Sequence, residues 1–149
     1  MSWDELFFGI ADLLSKKSTC LRRQYGCVLV RNRVPVAMGY NGAPRGATHC
    51  ADIGCAREGV PSGQQLEKCR AVHAEQNAVI NAAREGVSTV GTECYIRDIP
   101  CPACARILIN AGITAVHYCN QDYPGWEFSA RLFGESGVRL VLHKMDDKK

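Results

Sequence analysis

Helix-like and strand-like patterns alternate along most of this chain, and that alternation is the feature that most constrains its fold. Helices are predicted over about 2–16, 72–86, 100–112 and 126–136, and strands within 26–40 (two, around a turn), 94–96, 113–118 and 138–143. Strands that alternate with helices favour α/β layers around one central sheet. At 149 residues the chain is expected to form a single domain.

The stretch from Asn41 to Arg70 interrupts this alternation. It has little hydrophobic periodicity and is rich in Gly, Pro, Cys and charged residues. A connection of this length without structure of its own is uncommon in a compact domain. We therefore expect a Cys-rich insert at about 46–70 that something other than regular secondary structure holds in place.

Charge and hydropathy exclude several functional classes. The net charge is only +3, and the basic residues form no stripe, so we expect no polynucleotide partner. No apolar run has the length of a membrane span, and the N-terminal MSWDELFF carries acids where a signal peptide needs basic residues. The sequence predicts a cytoplasmic protein with no membrane partner.

Nine cysteines are many for a cytoplasmic chain. Clustered cysteines in a reducing compartment are more often metal ligands or catalytic groups than disulfides. Cys101 and Cys104 stand three residues apart, whereas Cys50, Cys55 and Cys69 share the insert. Three of the remaining cysteines, Cys27, Cys94 and Cys119, lie in apolar, strand-like segments, which favours buried structural thiols.

Two short motifs stand at predicted helix starts and carry the chemistry. Cys101 and Cys104 share one side of the first turn of a helix, whose N-terminus favours thiolates. Alone, this pair indicates a redox motif, half of a structural zinc site, or chance. His73 and Glu75 can likewise face a site below the end of their helix. Three protein ligands with an open position are typical of a catalytic zinc, which activates water near neutral pH.

The combination of H-x-E with P-C-x-x-C resembles the motif of zinc-dependent nucleobase deaminases. The chain is similar to the cytidine deaminase superfamily, and within it to the deoxycytidylate (dCMP) deaminases and their late-competence relatives. The matching stretches are STC (18–20), GYNGAPRG (39–46), HCADIGC (49–55), HAEQNAVINAAREG (73–86), PCPACARILINAGI (100–113) and QDYPG (121–125). The resemblance implies a three-layer α/β/α cytidine-deaminase-like fold with a central mixed five-stranded sheet, as one zinc-dependent deaminase domain over 1–149.

The same resemblance implies a reaction and a catalytic set. His73, Cys101 and Cys104 would hold the catalytic zinc, and Glu75 would be the acid–base residue. The implied activity is hydrolytic deamination of dCMP to dUMP with release of ammonia.

Further residues follow from the family pattern. Asn41 and Ala74 are expected to line the nucleotide site, and Arg97 either grips a phosphate there or points to solvent. The GYNG motif is associated with activation by dCTP, accompanied by Mg²⁺, and with inhibition by dTTP. Its residues are Gly39, Tyr40, Asn41 and Gly42. The family also implies a homo-oligomer, commonly a hexamer.

A second, structural zinc is expected at the insert. Some deoxycytidylate deaminases carry such an ion, and it would anchor a loop that buries little apolar surface. The candidate ligands are Cys20, Cys50, Cys55 and Cys69, with His49 in reserve.

Three alternatives remain open. The protein could deaminate another substrate, such as CMP, a 5-substituted dCMP, an adenosine in tRNA, free cytosine or a pterin-like base. The domain could be a zinc-bound scaffold without catalytic activity. Cys101 and Cys104 could form a redox pair, which would leave His73 and Glu75 without a purpose.

Overall fold

The computed structural model describes residues 1–145, so the last four residues of the predicted domain, 146–149, lie outside the described residues. The helices are α1 (Trp3–Ser15), α2 (Cys50–Ile53), α3 (Ala74–Glu85), α4 (Pro102–Asn110) and α5 (Trp126–Glu135). The strands are β1 (Gly26–Arg31), β2 (Val34–Tyr40), β3 (Glu93–Tyr95), β4 (Ala115–Tyr118) and β5 (Arg139–Leu142). No helix within residues 1–145 has both the length and the apolar character needed to span a bilayer.

Local sequence signals explain where α1 begins and where α3 ends. Ser2 and Glu5 form a capping box, because the Glu5 amide donates to Ser2 Oγ (3.1 Å) and the Ser2 amide donates to Glu5 Oε2 (2.6 Å). Gly86 ends α3 in the left-handed conformation, with φ of 68°. These features confirm the predicted start of α1 and the predicted end of α3.

The sheet is mixed and has the strand order β2-β1-β3-β4-β5. Strand β1 is antiparallel to both β2 and β3, whereas β3, β4 and β5 run parallel. The β1–β2 turn places Asn32 and Arg33 at positive φ. Pro35 lies on the edge strand, next to an irregularity in the register of β1, where its missing N–H is tolerated.

Side-chain alternation along the strands separates two apolar clusters. Cys27 and Leu29 face a cluster with α3, α4 and α5, whereas Val28 and Val30 face α1 through Phe7 and Phe8. The sheet therefore lies between two helical layers, which confirms the predicted three-layer α/β/α fold with a mixed five-stranded sheet.

Helix α3 lies unusually close to the edge strand β2. Gly39 has no space for a side chain, since an added Cβ would lie 2.4 Å from the Ala78 amide nitrogen and 2.5 Å from the Ala74 carbonyl oxygen. Two asparagine side chains secure the contact: Asn77 donates to the Tyr40 carbonyl (2.8 Å) and Asn81 to the Met38 carbonyl (2.7 Å). The spacing matches because four helical residues rise about 6 Å, as do two strand residues.

This packing makes Gly39→Ala a destabilising substitution. The new methyl group meets helix backbone that cannot swing away, so we expect a loss of about 1–3 kcal/mol in the free energy of unfolding. Gly9→Ala is the matched control, because a Cβ on Gly9 in α1 meets nothing within 4 Å and should add about 1 kcal/mol. Urea denaturation of the zinc-loaded proteins measures both changes. Equal stability of Gly39→Ala and the unsubstituted protein would contradict the close approach.

Candidate active site

The beginnings of α3 and α4 meet at one point. His73 directly precedes α3, Cys101 directly precedes α4, and Cys104 lies in the first turn of α4. His73 Nδ1 lies 3.6 Å from Cys101 Sγ and 3.3 Å from Cys104 Sγ. All three potential ligand atoms lie within 4.8 Å of one another.

This donor set fits a zinc ion. Zinc–sulfur and zinc–nitrogen bonds of ~2.3 and ~2.05 Å at a tetrahedral angle place the two donor atoms roughly 3.6 Å apart. The observed nitrogen–sulfur distances of 3.3 and 3.6 Å agree with that value. Thiolate with imidazole is also a preferred combination for zinc. The three residues thus form a His/Cys metal site with the ligand count of an open, catalytic centre.

The two thiols are electrostatically coupled. The pKa of Cys101 is lowered to about 4, chiefly by the hydrogen bond from Cys104 and further by the one from His73. The pKa of Cys104 is raised, because it donates to the Cys101 sulfur and because it is buried. The shared hydrogen bond therefore favours deprotonation at Cys101, the sulfur that accepts it.

Glu75 is the carboxyl group nearest this cluster in sequence, and it is almost fully buried. Glu75 is only 6% exposed, and burial raises the pKa of its carboxyl group to about 7. A hydrogen bond with Cys104 and the charge of His73 act in the opposite direction. Glu75 can therefore take up and release a proton near neutral pH.

A cavity opens over these groups and contains several of the predicted substrate residues. His73, Glu75 and Cys101 form part of its wall, together with Asn41 and Ala74. The Asn41 amide is engaged with backbone on the same wall: its Oδ1 accepts from the Tyr25 amide and its Nδ2 donates to the Arg23 carbonyl, each at 2.9 Å. In this structure Asn41 shapes the cavity by holding the chain before β1.

Four arginines line the cavity: Arg22, Arg23, Arg57 and Arg70. They differ in the hydrogen bonds that they make. Arg22 and Arg57 donate to backbone carbonyls of the insert and so brace it. Arg70 donates to the Thr48 carbonyl through Nη2 (3.1 Å), whereas its buried Nε has no hydrogen-bond partner among residues 1–145. Among the described residues, the one side-chain hydrogen bond of Arg23 is to the Tyr25 hydroxyl, at 3.5 Å. Arg70 and Arg23 therefore retain donor capacity at the cavity.

Arg97 does not lie at the cavity, which corrects one sequence-based expectation. Its guanidinium makes two hydrogen bonds to Asp12 of α1, one of them from Nε at 2.8 Å, and lies over the Phe8 ring. Phe8 belongs to the cluster on the other face of the sheet. Arg97 therefore neither faces a phosphate site nor points freely into solvent. It is not part of the substrate site in this structure.

The GYNG residues connect the edge strand to the site. Gly42 pairs with Val72 through two backbone hydrogen bonds (2.8 and 3.2 Å), which places this turn beside His73. Tyr40 is 41% exposed. The motif thus has a structural role at Gly39 and Gly42, and its association with effectors stays a prediction.

Cys20 and the three cysteines of the insert lie at the same cavity without forming a tight cluster. Cys20, Cys50, Cys55 and Cys69 all line the wall, and burial together with the other three thiols raises the pKa of Cys50. Within residues 1–145, the groups of potential ligands that lie within 4.8 Å of one another do not include these four. His49 lies apart from the cavity wall, with its Nδ1 3.3 Å from Thr19 Oγ1. A second zinc at the insert stays a prediction.

Sequence reasoning did not single out Tyr25, Asp98 and Tyr123, which also line the cavity. The Tyr25 hydroxyl donates to Asp98, and Asn120 donates to the same carboxylate at 3.0 Å. Tyr123 lies in the QDYPG stretch, which matched the family without a role for any one residue. Tyr25 and Asp98 are 73 positions apart, and no local pattern links them.

The fold and the site together define a class: an α/β protein with a buried Cys₂His metal site beside a carboxyl group. The family model for the cytidine and deoxycytidylate deaminase zinc-binding region matches residues 1–120, and the chain belongs to that family. The family description and the His/Cys cluster support Zn²⁺ as the metal.

Individual relatives are similar over most of this chain. ComE operon protein 2 of Bacillus subtilis is 36% identical over 148 residues, covering 99% of this chain and 74% of that protein. The deoxycytidylate deaminase of Schizosaccharomyces pombe is 40% identical over 141 residues, covering 93% of this chain but only 43% of the yeast protein. The chain therefore spans less than half of the length of that relative.

A solved structure also matches. The dCMP deaminase of the cyanophage S-TIM5, in complex with dCMP and dUMP, superposes with a TM-score of 0.77 at 29% sequence identity. The match covers 93% of this chain and 95% of the phage chain.

Proposed function

We propose that this protein catalyses the hydrolytic deamination of dCMP to dUMP. The observation that carries the proposal is the His73, Cys101 and Cys104 cluster beside the buried Glu75, in a cavity that also holds arginines with free donors. Relatives named deoxycytidylate deaminase and the phage enzyme with bound dCMP and dUMP support the choice of substrate.

His73 Nδ1 and the sulfurs of Cys101 and Cys104 would hold the zinc. When bound by three protein ligands, zinc makes water a nucleophile at neutral pH. The chain contributes a fixed and largely buried donor set, since Cys104 is fully buried and Cys101 is 8% exposed.

Glu75 would move the protons of the reaction. Its carboxylate accepts a proton from the attacking water as the C4–O bond forms, and delivers it to the ring nitrogen N3. It then transfers the second proton of the water to the exocyclic amino group as the C4–N bond breaks. One water enters, one ammonia leaves, and Glu75 returns to its starting state.

Arg70, with Arg23, is the proposed anchor for the 5′-phosphate. Arg70 Nε is buried at the cavity without a partner in the described chain, and a guanidinium suits phosphate in charge and geometry. Arg22 and Arg57 are already committed to the backbone of the insert. A free donor of this kind favours a mononucleotide over an unphosphorylated nucleoside.

The regulatory and assembly predictions rest on the family resemblance. We propose activation by dCTP with Mg²⁺ and inhibition by dTTP through Gly39 to Gly42; initial rates with each nucleotide test this.

We also propose a cytoplasmic homo-oligomer. Exposed apolar side chains on β2 and α3, Met38 (43%) and Ile80 (42%), support association, which light scattering measures.

The second, structural zinc at Cys20, Cys50, Cys55 and Cys69 is also retained as a proposal. Support comes from the four thiols around one cavity wall and from the mutual effect of their charges at Cys50. Ligation requires the insert to draw the sulfurs closer than they lie here.

The substitution Glu75→Gln tests the proton path. Because the amide cannot carry protons, we expect turnover of dCMP to fall roughly 10²–10⁴-fold while zinc is retained. Ammonia release and elemental analysis measure the two quantities. Glu85→Gln, at the exposed far end of α3, is the control and should behave as the unsubstituted protein. Undiminished turnover in Glu75→Gln would refute the assignment.

The substitution Arg70→Gln tests the phosphate anchor. Loss of a charged hydrogen bond of about 1.5–3 kcal/mol should raise KM for dCMP roughly 10–100-fold and leave the activity on deoxycytidine unchanged. Arg45→Gln is the control, because Arg45 bonds Asn81 on the surface, away from the cavity. An equal loss for both substrates would show that Arg70 is structural. Preference for a tRNA anticodon arm over dCMP would instead overturn the proposed substrate.

The substitution Cys50→Ser tests the second zinc. If the insert binds an ion, the zinc content per chain should drop while the catalytic zinc stays. Cys119→Ser is the control, since Cys119 lies near Arg97 on the other face of the sheet. Equal zinc content in both variants would eliminate the structural ion.

A further inference from the structure

A second cluster of potential metal ligands lies on the α1 face of the sheet, away from the catalytic cavity. Asp4 in the first turn of α1, His117 in β4 and His143 just after β5 bring ligand atoms within 4.8 Å of one another. None of the three lines the catalytic cavity. The proposed deamination does not use them.

The hydrogen bonds around His117 prepare one ring nitrogen for a metal. Its Nε2 lies 3.1 Å from Glu93 Oε1, and Arg139 pairs with the same carboxylate oxygen at 3.0 Å. A carboxylate oxygen can only accept here, so the Nε2–H tautomer satisfies this contact and presents the Nδ1 lone pair to the opposite side of the ring. That arrangement is typical of metal-binding histidines, whose second nitrogen donates to a carboxylate. The ring is further held flat against Tyr95, with centroids 4.2 Å apart and planes at 1°.

The Asp4 carboxylate is prepared in a similar way. The Tyr95 hydroxyl donates to Asp4 Oδ1 at 2.7 Å, which fixes the carboxylate and leaves Oδ2 on the side of His143. Asp4 Oδ2 lies 4.0 Å from His143 Nδ1, too far for a hydrogen bond. One oxygen is therefore engaged by the protein and the other retains its capacity for a cation.

His143 completes the set. Its Nε2 faces His117 Nδ1 at 2.9 Å, so two imidazole nitrogens meet beside a carboxylate. Zinc would hold two such nitrogens roughly 3.3 Å apart, a change of only a few tenths of an ångström. His143 follows the end of β5, and the Asp4 side chain is 43% exposed, so the cluster can adjust and is open to ions from solution.

We propose that Asp4, His117 and His143 form a further metal site, distinct from both cysteine-based sites, that binds a divalent transition ion such as Zn²⁺, Co²⁺ or Ni²⁺. Two imidazoles and one carboxylate, without thiolate, are suited to these ions. Glu93 and Tyr95 orient the ligands. The site joins the start of α1 to the two last strands of the sheet, and a bound ion stabilises the folded chain through linkage.

Cobalt binding tests this site, because the two kinds of site have different spectra. Protein whose cysteine sites hold zinc, and from which more weakly bound zinc has been removed by dialysis against a mild chelator, is titrated with Co²⁺, and we expect d–d bands without the sulfur-to-metal charge transfer that any cysteine site produces. Elemental analysis and the thermal midpoint Tm are recorded in parallel. The unsubstituted protein should gain one ion per chain and a higher Tm.

Three variants distinguish a metal site from a simple hydrogen-bonded pair. His143→Gln keeps an N–H donor for His117 but removes the ring nitrogen, and Asp4→Asn keeps the acceptor for Tyr95. Both should lose the thiolate-free cobalt spectrum and the rise in Tm. Glu93→Gln should weaken cobalt affinity roughly 10–100-fold. Ammonia release from dCMP should be unchanged in all three.

His49→Gln is the matched control, since His49 is a histidine outside the cluster, and it should bind cobalt as the unsubstituted protein does. Cobalt binding that persists in both His143→Gln and Asp4→Asn would overturn the proposal. So would the absence of a thiolate-free spectrum in the unsubstituted protein, because the histidines would then form only a hydrogen bond. Should His143→Gln fail to fold, Asp4→Asn at its partly exposed position still decides the question.

Discussion

The close packing of α3 on the edge strand β2 is the constraint on which the rest of the site depends. Gly39 allows the helix backbone to reach the strand, and the small residues Ala74 and Ala78 form the contact. Asn77 and Asn81 then bind carbonyls of the edge strand and set the helix along it. The start of α3 is thereby fixed, and with it the position of His73 relative to the cysteines of α4.

The parallel half of the sheet supplies the other side of the site. The chain leaves β3 and turns into α4, so Cys101 lies beyond the carboxyl end of β3, where ligands bind in many open α/β sheets. Alternation along the same strand directs residues to opposite faces. Ile96, directly after β3, belongs to the cavity wall, whereas Tyr95 faces α1 and supports the Asp4, His117 and His143 cluster. One short strand thus serves two sites with different donors: sulfur and imidazole on one face, imidazole and carboxylate on the other.

Most of the architecture could be predicted because its signals are local. The capping box at Ser2, the glycine after α3 and the alternation of strands and helices each reflect only a few neighbouring residues, and the structure confirms them. The placement of Arg97 could not be predicted in this way. Its partner Asp12 is 85 positions away, and only the packing of α1 on the sheet brings the two together. The Arg97 guanidinium pairs with the Asp12 carboxylate of α1, and not with a phosphate or with solvent as the sequence suggested.

By itself, the sequence determined the fold class and the residues that meet at the proposed catalytic zinc, because H-x-E and P-C-x-x-C each specify donors at the start of a helix. Only the tertiary structure decided which of the remaining charged side chains brace the backbone and which are available at the cavity. It assigned Arg22 and Arg57 to the backbone of the insert and left Arg70 with a free donor at the cavity. It also assembled Asp4, His117 and His143 from three distant segments. Hydrogen-bond partners across a sheet depend on which elements pack together, and the spacing of residues along the chain does not specify that packing.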